Sequence, residues 1–419
     1  MKAVNCHLLG SARCKTIGCH VIGAAILASS LITPAVAQSR FLPPVSAVVL
    51  SPSVHSGWGK QSGLRELDKA WRAQPQDQSV ALAYARAVFT LGLNEGDLRW
   101  FGSAKAALAP WWQTTDLTAE AYFLRGLVKQ GFHDFNAGLQ DINRAIELEP
   151  GRAEFWSWRF ALHLLLADMA AAQQDIDHMD RHFGKAEADI YRGIFFYRTG
   201  QPGKAAQILR RAFLSPNYQD ASSQDWLAFH LGEALRVDGQ PSQAIAVWGQ
   251  RLKKNANSHL LRLSLADLHN QQAEFMQAKK VAMNQVDAQS MTDALLMQAL
   301  IASRGLKDAD EPRLANQMEA RVRVQAMRQE SLIERPKLIY QISYGVDITA
   351  GLALSIENWK QQKEPPDAIL FVQAALALGQ ATSALQVVTW ANQTGYTEPQ
   401  LKLLLKQLQA HPSWTKNPS

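Results

Sequence analysis

The chain has 419 residues, 47% of them hydrophobic and 19% charged, which excludes wholesale disorder and exceeds a single domain of about 100–200 residues. The formal charge of +6 makes no basic stripe for nucleic acid, and half of it, from Lys2, Arg13 and Lys15, lies before residue 38 with no acid alongside. All three cysteines, Cys6, Cys14 and Cys19, fall in the first 20 residues, so the remainder has no disulfide, thiolate nucleophile or cysteine metal site.

The first 37 residues read as a secretory signal peptide. A positive start is followed by a mostly apolar stretch over 16–32, interrupted by His20. Thr33-Pro34 breaks the helix, and Ala35-Val36-Ala37 supplies the small residues of a cleavage site, placing the cut after Ala37. The alternative is an uncleaved membrane anchor, because the apolar stretch approaches the ~20 residues of a span. A lipoprotein start at Cys19 is weaker, since no apolar run precedes it. Cleavage predicts a periplasmic protein with no membrane span, as no later segment has 18 uninterrupted apolar residues.

Residues 38–62 hold Pro43, Pro44 and Pro52 and read as an extended lead. From Leu64 onward apolar residues recur at i, i+3 and i+4 with little strand-like alternation, so the fold class is all-α. Residues 63–75 form a lone helix, and 79–110 a long hairpin turning at Asn94-Glu95-Gly96-Asp97.

Residues 119–150 place Tyr122, Gly126, Phe135, Gly138, Ile142, Ala145 and Pro150 at relative positions 4, 8, 17, 20, 24, 27 and 32. In the tetratricopeptide repeat, which this spacing resembles, small residues at 8 and 20 let the two helices of a hairpin approach closely, and bulky ones at 4, 17 and 24 fill the space between hairpins. The phase continues. Gly138 is followed by Ala172, Ala205, Ala244 and Ala278, in steps of 34, 33, 39 and 34, the long step reflecting an insertion over 215–223. Position 8 is filled by Gly126, Phe160, Gly193, Gly232 and Ala266, with Phe160 the bulky exception. Each second helix is preceded by a similar turn, as in Gly200-Gln201-Pro202 and Gly239-Gln240-Pro241. One such hairpin cannot bury its own face, so the units must stack.

These motifs resemble the tetratricopeptide repeat, a helix-turn-helix of 34 residues. The resemblance covers most of 64–405 and implies an α-solenoid of stacked hairpins in a right-handed superhelix. Two stretches, 96–112 and 353–376, look like uncharacterised secreted tetratricopeptide proteins of proteobacteria, which implies location and architecture but no reaction. The organisation expected is a superhelix over 63–305, a long charged helix bridging 306–336, a C-terminal repeat pair over 337–412 with Gly351 and Ala384 in phase, and a tail over 413–419.

Catalytic signatures are missing. No G-x-x-x-x-G-K-[ST], G-x-G-x-x-G, G-x-S-x-G or H-E-x-x-H string occurs, so neither a catalytic residue nor a cofactor is assigned. His178 and His182, four apart on a helix with Asp175 one turn earlier, have metal-ligand spacing, but the register puts them on a solvated face, so no metal is assigned. His163 is read as a hydrogen-bonded core histidine, and Trp156, Trp158 and Trp248 as packing residues rather than stacking platforms. A glycan-acting envelope enzyme or a metal-handling accessory protein remains the alternative reading.

In tetratricopeptide superhelices the first helix of each hairpin lines the concave face. That mapping selects Phe123, Leu127, Ile190, Ile194, Tyr197, Arg198, Trp226, Phe229, Glu233, Arg236, Asp267 and Asn270 as a partner-binding groove. The resemblance implies a carboxylate clamp of Lys and Asn in chaperone-binding relatives, and the apolar residues here do not supply one. An apolar groove with a few charges suits an amphipathic helix or an apolar extended segment. The expectation is a non-enzymatic scaffold for a protein partner of the cell envelope, its groove either open or filled by the lead segment or the C-terminal block.

Overall fold

A computed structural model describes residues 62–97, 99–284, 290–327 and 335–414. The expected leader, the lead up to 61 and the end of the tail lie outside the described residues. The described residues contain twenty α-helices and no strand. Helix α1 (Ser62–Ala73) precedes a run of hairpins: α2/α3 (Gln78–Glu95, Arg99–Ala107), α4/α5 (Ala119–Gly131, Phe135–Leu148), α6/α7 (Ala153–Leu165, Met169–Phe183) and α8/α9 (Lys185–Arg198, Pro202–Leu214). The run continues with α10/α11 (Ala221–Val237, Pro241–Lys254), α12/α13 (His259–Gln271, Phe275–Met283) and α14/α15 (Asp293–Leu306, Glu311–Met327). It ends with α16/α17 (Arg335–Ile342, Ile348–Gln361), α18/α19 (Pro365–Ala377, Leu385–Thr394) and a closing helix α20 (Pro399–Ala410). The architecture is an α-solenoid of helical hairpins.

The helix starts are written locally. Asp77, Thr118, Asp220, Thr292 and Asp347 each accept a backbone N–H of the first turn that follows them. The hairpin turns share one geometry. His133, Ala167, Gly200, Gly239, Ala273, Lys307 and Gly379 all have left-handed backbone. In each case the N–H of the next residue returns to the carbonyl five residues back, as in Gln201 to Phe196 and Gln240 to Leu235, both at 2.8 Å. Glycine adopts this conformation without strain at two of the five central turns.

The small-residue register has a steric cause. A Cβ on Gly126 would lie 2.9 Å from both the Gly138 carbonyl oxygen and Ile142, and one on Gly232 would overlap the Trp248 ring. Gly126→Leu therefore overpacks the α4/α5 contact and is expected to destabilise by ~1–3 kcal/mol. A thermal melt checks this, and an unchanged midpoint contradicts the register. Phe160, the bulky exception, is buried edge-on to Tyr191 at 5.5 Å.

The charged stretch after 305 differs from expectation. In place of a long bridge, α15 packs back on α14 as a further hairpin, burying Leu314 and Met318. The hairpin turn is at Lys307, in phase with Ala273, but the second helix begins four residues after it instead of two. Lys279 ties the longer turn down through Asp308 and Asp310, each at 2.6 Å. The C-terminal region likewise holds two hairpins and a closing helix where one pair was expected. Residues 328–334 lie outside the described residues.

The solenoid coils onto itself. Gly96, in the first hairpin, lies against the His259 ring at the start of α12. The Lys363 N–H donates to the Leu165 carbonyl at 2.8 Å, Gly395 meets Gly200 backbone to backbone, and Pro399 lies beside Gly239. A hydrophobic core with members from Leu64 to Leu408 includes side chains of α8, α10, α18 and α20, and a second core packs α13, α14 and α15 together.

Candidate functional site

The twelve residues mapped to the concave face separate into two groups. Phe123, Leu127, Ile190, Ile194, Tyr197, Arg198, Trp226 and Phe229 are buried. They do not line an open groove: most pack against neighbouring helices of the solenoid, and Arg198 meets the C-terminal block at Glu364. Phe123 packs on Phe155 at 4.4 Å, and Tyr197 Oη hydrogen-bonds His230 Nδ1 at 2.9 Å. Burial pushes the Tyr197 phenol well above its usual range and the His230 imidazole down to about 3, so both are neutral parts of the core.

The closure is held by charges at helix ends. Arg198 and Arg236 stand in the last turns of α8 and α10, where a cation complements the helix dipole. Glu364 and Glu398 are the N-cap residues of α18 and α20, where an anion does the same. Arg198 pairs with Glu364 at 3.0 Å with both side chains buried, and Arg236 pairs with Glu398 and, at 2.9 Å, with Glu233. Arg335, opening α16, grips Asp367 through two bonds of 2.8 and 3.1 Å. Burial pushes the Glu364 carboxyl up, against the pull of Arg198 and Arg335.

The second group, Glu233, Arg236, Asp267 and Asn270, lines a cleft of about 280 Å³ between α10, α12 and α14 on one side and α16, α18 and α20 on the other. Its walls are mainly apolar, from Leu263, Ile301, Ile339, Ile369 and Leu370, with Gln298, Gln373, Arg335 and Glu398 among them. Sequence reasoning missed every contribution from α14, α16, α18 and α20. The traceable signal for two of them is a Glu directly before Pro, at Glu364-Pro365 and Glu398-Pro399, which marks a helix start carrying an acid.

Asp267 is the half-buried acid of the cleft. It accepts from Gln271 at 2.8 Å and Gln298 at 3.2 Å, and among the described residues no ammonium or guanidinium is paired with it. Burial pushes it up to about 6 against the pull of Arg236, with the nearby Glu233 and Glu398 carboxylates adding to the rise. The raised value means that between pH ~4 and ~6 the folded protein holds a proton that the unfolded chain has lost, so this group's contribution to stability declines as pH rises through that window. Asp267→Asn is expected to be more stable than the parent by ~1–2 kcal/mol above pH 6 and equal to it below pH ~4. Denaturant titrations at both pH values check this. A difference independent of pH contradicts it.

The other candidates resolve into packing. Asp175 is buried and accepts from Arg159 at 2.9 Å and from His163 Nδ1 at 2.8 Å, while His178 stacks on Trp156 at 3.4 Å between centroids and His182 on His178. Among the described residues no group of three His, Cys, Asp or Glu side chains is placed to hold a metal ion. Trp156, Trp158 and Trp248 are buried, and Trp248 Nε1 donates to the Ala228 carbonyl at 3.0 Å.

No family model matches the chain, and a comparison with curated proteins finds no match. Solved structures do show similar architecture. One is of Pseudomonas aeruginosa pilF, with 18% identity, 48% of this chain and 90% of that chain covered, and a TM-score of 0.36. Another is the Cut9–Hcn1 hetero-tetramer of APC/C, with 13% identity, coverage of 82% and 66%, and a TM-score of 0.45. A third is a tetratricopeptide repeat protein from Parabacteroides merdae, with 13% identity, coverage of 69% and 98%, and a TM-score of 0.33. None reaches a TM-score of 0.5, and no residue role is taken from them. No described helix is long and apolar enough to cross a membrane.

Proposed function

We propose that this protein is an exported, non-enzymatic scaffold that binds a protein partner of the cell envelope, and that the partner segment enters the cleft between the two halves of the solenoid. The observation that carries the reading is the cleft itself. The rest of the mapped concave face is buried, whereas the cleft keeps an apolar wall with a few charged and amide groups converging on it. Such a surface suits recognition of an extended or amphipathic protein segment. The cell-envelope setting is supported by the signal-like N-terminus ending at Ala37.

A photo-crosslinking amino acid at Gln373, on the cleft wall, tests the interaction in the native host. The expected result is one dominant protein adduct in the envelope fraction that is absent when the probe replaces exposed Lys254 on α11. Equal adducts from both positions contradict the cleft as a partner site. N-terminal sequencing of the same preparation is expected to begin at Gln38, and an intact Met1 in the membrane fraction contradicts cleavage.

A further inference from the structure

We propose that the cleft seats an arginine or lysine side chain, carried on an apolar stretch of the partner protein, with the cationic head against Asp267. The inference rests on the reading of the cleft as a partner-binding site and specifies the chemistry it recognises.

Donors and acceptors in the cleft do not balance. Both guanidiniums on its wall are engaged, Arg236 by Glu233 and Glu398, and Arg335 by the buried Asp367. Among the described residues Asp267 receives only the amide donors of Gln271 and Gln298. Asn270 directs its own amide nitrogen at Gln298, at 3.0 Å to the carbonyl and 2.8 Å to Oε1. Its Oδ1 is shielded from water and has no hydrogen-bond partner. Asp267 and Asn270 are three residues apart on α12, so they lie on one face one turn apart. The missing complement is therefore a group with several N–H donors and a positive charge.

The surrounding walls fix the rest of the ligand. Leu263, Ile301, Ile339 and Ile369 offer apolar contact to a methylene stem, as a long cationic side chain requires. An acidic ligand meets Asp267, Glu233 and Glu398 with no free cation to receive it. A purely apolar one leaves the Asp267 carboxylate with amide donors alone in a site it has just dried, which opposes binding. The same logic places Asp267 among residues kept at a cost in stability, since its unpaired burial disfavours the folded state until a cation arrives.

The test uses the full chain and three fluorescent, end-capped nonapeptides of leucine, alanine and serine. They differ at the central residue, which is arginine, its neutral isostere citrulline, or glutamate. Fluorescence anisotropy is expected to show the arginine peptide binding at least ~10-fold more tightly than the citrulline peptide, with the glutamate peptide weakest. That preference is expected to collapse in Asp267→Asn, while Ile301→Trp, which fills the cleft, weakens all three. Equal binding of the arginine and citrulline peptides to the unmodified protein, with both weakened by Ile301→Trp, overturns the cationic assignment and leaves the cleft as the site. Binding of no peptide overturns both.

Discussion

Glu364→Ala is expected to destabilise the protein by about 3–5 kcal/mol, because it strands a buried guanidinium. Arg198 and Glu364 are 2% and 1% exposed, and Glu364 is the acid that Arg198 pairs with. Arg198 Nε already lacks a partner, so the guanidinium has little to fall back on when the carboxylate is removed. The loss also takes the N-cap anion from α18, whose first turn carries Pro365 and Pro366. The expected result in a denaturant titration is a transition at much lower denaturant with an intact helical spectrum before it. A change under 1 kcal/mol would mean that Arg198 reaches water, which a docked C-terminal block does not allow.

Phe123→Ala tests whether the mapped face is core or open groove. Were Phe123 part of an open groove, its truncation would weaken partner capture and hardly touch stability. Here its ring is 0% exposed, packs on Phe155 and carries the Arg86 guanidinium over its face at 5.5 Å. Truncation opens a cavity in a close-packed core, at an expected cost of about 3–5 kcal/mol. Capture by the cleft, measured with the arginine peptide below the melting transition, is expected to be unchanged. Retained stability with lost capture contradicts the assignment of Phe123 to the core.

The hairpin phase was legible because each unit writes its turn locally. A left-handed residue with a small residue five positions after it, and at all but Ala167 another seven before it, recurs from His133 to Ala273. The pattern was lost after Lys307, where two residues are added before α15 and Pro312 stands where Ala278 predicts the next small residue. Eight of the twelve mapped inward residues are buried in the structure. What covers that face was not legible. The pairs Arg198–Glu364 and Arg236–Glu398 join residues more than 160 positions apart. Periodicity fixes which side of a helix is buried, whereas the tightness of the coil, accumulated over many small hairpin rotations, decides what it meets. That is why Glu233, Arg236, Asp267 and Asn270 were found and their counterparts Arg335, Ile339, Ile369 and Glu398 were not.

Closure of the concave face by the C-terminal block is tested most directly by a double-mutant cycle across Arg198 and Glu364. Arg198→Met and Glu364→Gln are measured singly and together in denaturant titrations. If α18 docks on α8, each single substitution costs several kcal/mol and the pair costs well under their sum, leaving a coupling of about 2 kcal/mol or more. Additivity within about 0.5 kcal/mol would show that the two side chains do not meet, and the concave face would then be open.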